Sequence, residues 1–355
     1  MNKFFLEELY SLKGYIPGDQ PSGKIIKLNT NENPYPPSPK ILKSISKILK
    51  TGFLRKYPNP VSEELRVEIA KLHKIKKENI LVVNGSDEGL AILFRACLKK
   101  DAKLITPDPT YSLYSVLASL CFTNTKLVKI PLLGDFHFDF DSLIEQSGEL
   151  LAFANPNAPT GILESKEKVL NLISSFKNAV LCDEAYIDFA PKNSSLIPEI
   201  RNFKNLFISR TFSKSYSLAG LRVGYLVSNE ENIFELLKIK DSYNLGMLEQ
   251  KIALEAFKDQ KYLRKTVSKI TNSRKKLFYK LTKKGFQVLE SNTNFLFAKP
   301  PNPFRANELF KYLKSKNIFI RYFDDSLTKD YIRISIGLEK ENKKLLKEIF
   351  AFCKL

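Results

Sequence analysis

The chain is expected to be an α/β protein, with a mostly parallel central sheet covered by helices and a smaller α+β domain at its C-terminal end. Three features predict this. From about residue 79, short apolar runs alternate with helical patterns, as strands joined by helical crossovers do. The polar motifs fall just after the apolar runs, where open parallel sheets bind ligands. In the last third, long helical patterns and short alternating strands replace that rhythm. Residues 1–30 are therefore expected to be an N-terminal arm, 31–238 a large domain and 239–355 a small one.

Taken in order, Asn33 to Pro39 (NPYPPSP) reads as a stiff connection leading from the arm. Ile80 to Val83 is strand-like and leads into a helix over Asp87 to Lys99. Between them lies Asn84-Gly85-Ser86-Asp87-Glu88, with Ser86 expected as the N-cap and the free amides of the first turn as an anion site. Strand Lys103 to Thr106, helix Tyr111 to Phe122 and strand Leu127 to Pro131 follow. Tyr111, within PDPTYSLY, suits stacking on an aromatic ring. Strand Leu150 to Ala154 ends in Asn155-Pro156-Asn157-Ala158-Pro159-Thr160-Gly161, a rigid turn suited to a cis bond, whose asparagine amides are expected to meet a ligand.

Strand Ala179 to Cys182 runs into Asp183-Glu184-Ala185-Tyr186. A carboxylate at a buried strand end costs stability unless it meets a cation. The run Asn205 to Phe212 is a buried strand leading into SRTFSKSYSLAGLRVGY, which holds Lys214. Thr211 and Ser213 add hydroxyl donors, and Arg222 adds a fixed cation able to hold a phosphate. A nucleophilic amine beside a phosphate site suits an aldehyde cofactor that carries a phosphate, namely pyridoxal phosphate held as a Schiff base on Lys214. Asp183 would then face the protonated pyridine nitrogen and Tyr186 the phenolic oxygen. Singly, each feature has an ordinary reading: one more lysine, a salt-bridging aspartate, a capped helix. Their recurrence at successive strand ends favours the cofactor.

Helical patterns from Glu231 to Lys284 end at Gly285, a C-cap. Strand Asn294 to Ala298, helix Ala306 to Lys316, strands Ile318 to Tyr322 and Tyr331 to Ile336, and a closing helix complete the chain. Arg333 alternates with apolar residues, which points it to one face of its strand, where its guanidinium would fork onto a carboxylate.

At 355 residues, 43% hydrophobic and 27% charged, the chain has room for two domains with a substantial core. It has no apolar run of membrane-spanning length and no signal-peptide pattern in residues 1–30, so a cytoplasmic protein without a membrane partner is expected. A net charge of +19 invites a nucleic-acid partner. The lysines, however, are spread along helices, as in Lys261 to Lys284, and no nucleic-acid module accompanies them, so none is expected. Four dispersed cysteines without a CxxC pair read as buried thiols, and two histidines do not make a metal site.

The motifs LNTNENPYPPSP, GSDE, NPNAPTG, DEAY, TFSKSYSLAGLRVGY and RISIG arrive in this order. With them, the chain resembles the fold-type I PLP-dependent aminotransferases of class I/II over essentially its whole length. Gly14-Tyr15-Ile16-Pro17-Gly18, Arg55-Lys56-Tyr57-Pro58 and PTYSLY make it most similar to the histidinol-phosphate branch. The resemblance implies amino transfer between L-histidinol phosphate and 2-oxoglutarate. Lys214 would carry the cofactor and shuttle the proton, with Asp183 on the pyridine nitrogen and Tyr186 on the phenolic oxygen. Ser86, Asp87, Thr211, Ser213 and Arg222 would surround the phosphate, and Tyr111 would stack on the ring. Tyr57 would reach the neighbouring subunit's phosphate, which implies a homodimer. Arg333 would bind the substrate's carboxylate, with Tyr15, Asn31 and Arg321 near the side-chain pocket. One departure stands out: Ala158 replaces an asparagine that bonds the phenolic oxygen in the family, and Asn157 or Asn155 is expected to compensate. Aminotransferases for aromatic or other amino acids and phosphoamino-acid decarboxylases share these motifs. A DNA-binding regulator would need an appended winged helix, for which the start of the first motif at residue 14 leaves no room.

Overall fold

In the computed structural model, residues 4, 9, 10, 12, 14, 15, 18–50, 52–121 and 124–354 are described; Ile16, Pro17 and Phe122 of the expected elements lie outside them. Seven strands form the main sheet: β1 (Ile80–Val83), β2 (Lys103–Asp108), β3 (Lys126–Pro131), β4 (Leu150–Ala154), β5 (Ala179–Asp183), β6 (Leu206–Thr211) and β7 (Gly224–Val227). Their spatial order is β1-β7-β6-β5-β4-β2-β3. β7 runs antiparallel to both neighbours and the other pairings are parallel. β4 and β5 are nearly continuous apolar runs, and β6 is buried along its whole length, because helices cover both faces of the sheet. The expected α/β class with a mostly parallel sheet is borne out. The reversal at β7 arises because the connection that holds Lys214 contains no covering helix and turns back along the sheet.

A second sheet is antiparallel throughout: β8 (Gln287–Val288), β9 (Phe295–Lys299), β10 (Arg321–Tyr322) and β11 (Ile332–Ser335), in the order β10-β11-β9-β8. The single strand expected over 318–322 is divided. Ile318–Phe319 pairs in parallel with Ile26–Lys27, and only Arg321–Tyr322 joins β11. The end of the expected arm is thereby stitched to the second sheet, with the Leu28 N–H donating to the Phe319 carbonyl at 2.7 Å and the Ser335 N–H to the Leu28 carbonyl at 3.0 Å.

The apolar cores change over later than residue 238. Leu245, Ile252, Phe257 and Leu263 pack in the core of the main sheet, whereas Ile270, Leu277 and Leu281 belong to the second core, and Val267 touches both. The helix Met247–Lys258 buries its apolar face against the helices Lys40–Lys50 and Glu63–His73, which ties it to the large unit. The change of apolar core occurs within the helix Gln260–Lys283, beyond the 238/239 boundary expected from the sequence. That helix closes as expected, with Gly285 at a φ of 82° beyond its C-cap.

Candidate active site

The carboxyl ends of β4, β5 and β6 bring three of the motifs together. Asp183 ends β5 opposite Ser209 of β6, and its carbonyl accepts the Asn155 N–H at 3.0 Å, which joins two motif turns. Its carboxylate is buried and receives two neutral donors, the Tyr114 hydroxyl at 3.2 Å and the Ala185 N–H at 3.1 Å. Among the described residues it makes no salt bridge. Burial first, and then the Asp87 charge, push the carboxyl up to about 7, while the hydrogen bonds from Tyr114 and Ala185 pull the other way. Such a group calls for a cation. Glu184, next in sequence, shows the contrast: it is paired with Arg210 at 3.1 Å and bonded by Ser195 and the Leu196 N–H.

Lys214 lies in the turn after β6. Its Nζ donates to the Thr30 carbonyl at 3.1 Å and stands 5.9 Å from the centre of the Tyr186 ring, which meets Phe295 edge-on at 5.2 Å. The lysine's backbone is held by Asn33, whose Nδ2 donates to the carbonyls of Lys214 (3.1 Å) and Ser215 (3.0 Å).

At the opposite end, the helix Gly85–Cys97 starts earlier than expected, so Ser86 sits inside the first turn and does not cap it. Gly85, at a φ of 76°, makes the bend, and a Cβ there would collide with the Arg222 guanidinium. Arg222 donates to Asp87 Oδ2 at 2.8 Å and to Ser213 Oγ at 3.3 Å. Thr211 Oγ1 donates to the same Ser213 Oγ at 3.0 Å. Helix amides, two hydroxyls and a guanidinium thus converge as an anion cradle. Tyr111 spans the space between the ends: its hydroxyl donates to Asp87 at 3.2 Å, and its ring packs edge-on against Tyr114 (5.6 Å) and Tyr15 (6.3 Å).

The third part comes from the second sheet. Arg321 and Arg333 lie directly opposite each other on β10 and β11, hence on one face. Arg333 lies 5.3 Å from the ring centres of both Phe295 and Phe323, donates from Nη2 to the Asn29 carbonyl at 3.1 Å, and keeps a buried Nε with no acceptor among the described residues. Facing cations repel, and an orphaned buried donor costs about 1–3 kcal/mol, so the pair suits an anionic ligand. The Tyr15 hydroxyl, raised by burial, feels the charges of Arg321, Arg333 and Asp87, which places it between the cationic pair and the cradle.

Asn31, expected near the side-chain pocket, is 1% exposed and donates to the Tyr186 hydroxyl at 2.9 Å. Asn157 does not stand in for Ala158, because its Nδ2 bonds the Pro109 carbonyl and Thr160 while its Oδ1 accepts from Thr110. Asn155, also buried, accepts the Glu164 N–H. Asn157 thus has both ends of its carboxamide engaged and Asn155 its Oδ1, in a turn with cis bonds at Asn155–Pro156 and Ala158–Pro159. Tyr57 stands outside its own chain's site, 79% exposed and stacked on Tyr243 at 4.5 Å. Sequence reasoning missed Tyr114, Thr30, Asn33 and Asn29; only Tyr114 had a local signal, three residues from Tyr111 in the helix expected over 111–122, which in the structure begins at Leu113.

A buried carboxylate without a cationic partner among the described residues, a lysine amine bonded only to the Thr30 carbonyl among them, and an anion cradle answer the pyridine nitrogen, aldehyde and phosphate of pyridoxal phosphate, so these residues fit that cofactor. The family model for aminotransferases of class I and II matches residues 23–349. Histidinol-phosphate aminotransferase of Brachyspira hyodysenteriae is 42% identical over 348 residues, covering 96% of each chain. Histidinol-phosphate aminotransferase 1 of Trichormus variabilis is 36% identical, over 98% of this chain and 99% of the relative. Among solved structures, histidinol-phosphate aminotransferase of Sinorhizobium meliloti in complex with pyridoxal 5'-phosphate superposes with a TM-score of 0.89 at 25% identity, over 99% of both chains. The chain belongs to the class I and II aminotransferase family, in the company of relatives named histidinol-phosphate aminotransferases.

Proposed function

We propose that the chain transfers an amino group from L-histidinol phosphate to 2-oxoglutarate, with pyridoxal phosphate as its cofactor. The observation that carries this reading is the Arg321–Arg333 pair with the unanswered Arg333 Nε. The amine substrate has a phosphate and no carboxylate, and 2-oxoglutarate has carboxylates, so one cationic face would serve both in turn. When bound, the cofactor supplies an electron sink for the substrate's Cα. Asp183 would hold its negative charge against the ring nitrogen, and Tyr186 would donate a hydrogen bond at the phenolic oxygen. The amides of Ser86 and Asp87, with Thr211, Ser213 and Arg222, would hold the phosphate under the cover of Tyr111. Lys214 Nζ would take the proton from the substrate's Cα and deliver it at the far side of the transfer.

A homodimer belongs to the same proposal. Tyr57 follows the exposed Phe53 and Leu54 in sequence, and Phe53 and Pro58 line a groove of about 970 Å³ between the helices Lys40–Lys50, Glu63–His73 and Met247–Lys258. A second copy seated there would cover this strip and bring each Tyr57 to its partner's phosphate. Among the described residues no helix is long and apolar enough to cross a membrane, and we place the protein in the cytoplasm. The reading is tested by the absorbance of the cofactor-loaded protein. Histidinol phosphate should bleach the cofactor band and 2-oxoglutarate restore it. An equal response to phenylalanine or tyrosine would overturn the substrate assignment.

A further inference from the structure

We infer that Asn31 is a positioning residue that fixes the direction in which the Tyr186 hydroxyl donates its proton. This rests on the reading of Tyr186 as the donor at the cofactor's phenolic oxygen. Ala158 packs in the same apolar cluster as Tyr186 and brings no polar group, and the Asn157 amide is engaged by the Pro109 carbonyl and Thr160. Tyr186 brings a hydroxyl to that edge where Ala158 brings nothing, so what orients its proton decides whether it donates there.

The surroundings of Asn31 set that orientation. Ser335 Oγ accepts the Asn31 N–H at 2.9 Å, and donates its one proton to Asn31 Oδ1 at 2.9 Å. The carboxamide oxygen is thus claimed, and Nδ2 points at Tyr186 Oη, to which it donates at 2.9 Å. The Asn31 carbonyl in turn accepts from Asn294 Nδ2 at 2.9 Å. At a φ of 56°, a conformation asparagine tolerates better than most residues, the backbone is held from both sides. A phenol oxygen that already accepts from Asn31 keeps its own proton for an acceptor on the Lys214 side. The bonds run one way, from Ser335 through Asn31 to Tyr186, and each polarises the next. Ser335 belongs to β11, two residues from Arg333, so the strand that carries the substrate arginine also sets this proton's direction.

A hydrogen bond to the phenolic oxygen stabilises its negative charge, so weakening that bond makes the cofactor chromophore hold its proton to higher pH. The experiment is a pH titration of the cofactor band in the wild-type holoprotein and in N31A, N31D, Y186F and N31A/Y186F, with cofactor affinity measured on the cofactor-free proteins. N31A should raise the midpoint by about half to one pH unit, the equivalent of one neutral hydrogen bond. N31D, whose carboxylate only accepts and so turns the Tyr186 proton inward, should raise it at least as far. Adding N31A to Y186F should move nothing. An unmoved midpoint in N31A, or a shift of equal size with and without the Tyr186 hydroxyl, would overturn the inference. Should N31A fail to fold, S335A frees the carboxamide to rotate and should shift the midpoint the same way; no shift there overturns it equally. A wild-type protein without any cofactor band would overturn the functional reading and this inference with it, an outcome distinct from a normal band that N31A leaves unmoved.

Discussion

Around Asp183 the site is dry. The carboxylate is enclosed, meets only neutral donors and is pushed up to about 7 by burial. Around Arg222 it is wet: the Arg222–Asp87 pair is 45% and 42% exposed, so water and salt screen it. One end holds an electrostatic demand that only a cationic ligand group meets. The other holds a loose ion pair whose guanidinium can turn to a phosphate at little cost to the fold. In this account, ring chemistry belongs to the buried end and cofactor retention to the exposed end.

The comparison breaks most visibly if Asp183 proves dispensable. Asp183→Asn should lower the turnover rate about 10²–10³-fold, the scale of removing one preorganised electrostatic partner, with the protein still folded. Steady-state kinetics and circular dichroism check both halves. Next comes the pH dependence of the cofactor-free protein. The folded carboxyl titrates near 7, above its ordinary 3.8, so the folded state binds the extra proton between those values. Its contribution to stability is whole below about pH 4 and is lost as pH rises through 7, by on the order of a few kcal/mol. Denaturant melts should show this slope in the cofactor-free wild type, and Asp183→Asn should flatten it.

The cationic pair sharpens the picture at smaller scale. Arg333→Ala should raise KM for histidinol phosphate and for 2-oxoglutarate by about 10- to 100-fold each, the worth of hydrogen bonds to a charged group. A normal response to either substrate counts against a shared anion face. The smallest effect on the fold belongs to Arg222→Ala. It should change the stability of the cofactor-free protein by no more than about 1 kcal/mol while weakening cofactor binding roughly tenfold. A stability loss of several kcal/mol would mean that the exposed end is not loose.

The parts of the site readable in the sequence are those that follow an apolar run. Asp183, Lys214 and Asn155 sit at strand ends, where alternation of strand and helix predicts the ligand side of the sheet. Residues that act through the backbone or across the domains left no local trace. Thr30 meets Lys214 with its carbonyl, and Asn33 reaches the carbonyls of Lys214 and Ser215 from far along the chain. The place of Asn31 behind Tyr186 is set by Ser335 and Asn294, at strands of the second sheet far along the chain, which no local pattern announces. The change of core within the helix Gln260–Lys283 was hidden for a related reason: one amphipathic pattern serves two cores in succession. Ser86 gave a cap signal that lost to Gly85, whose positive φ sets the bend beside Arg222.

Borohydride reduction of the cofactor-loaded protein, followed by peptide mass mapping, tests the central claim most directly. The account predicts that the reduced cofactor is fixed to the Nζ of Lys214, and that Lys214→Ala takes up no label there. Fixation on another lysine with residue 214 unmodified would contradict it.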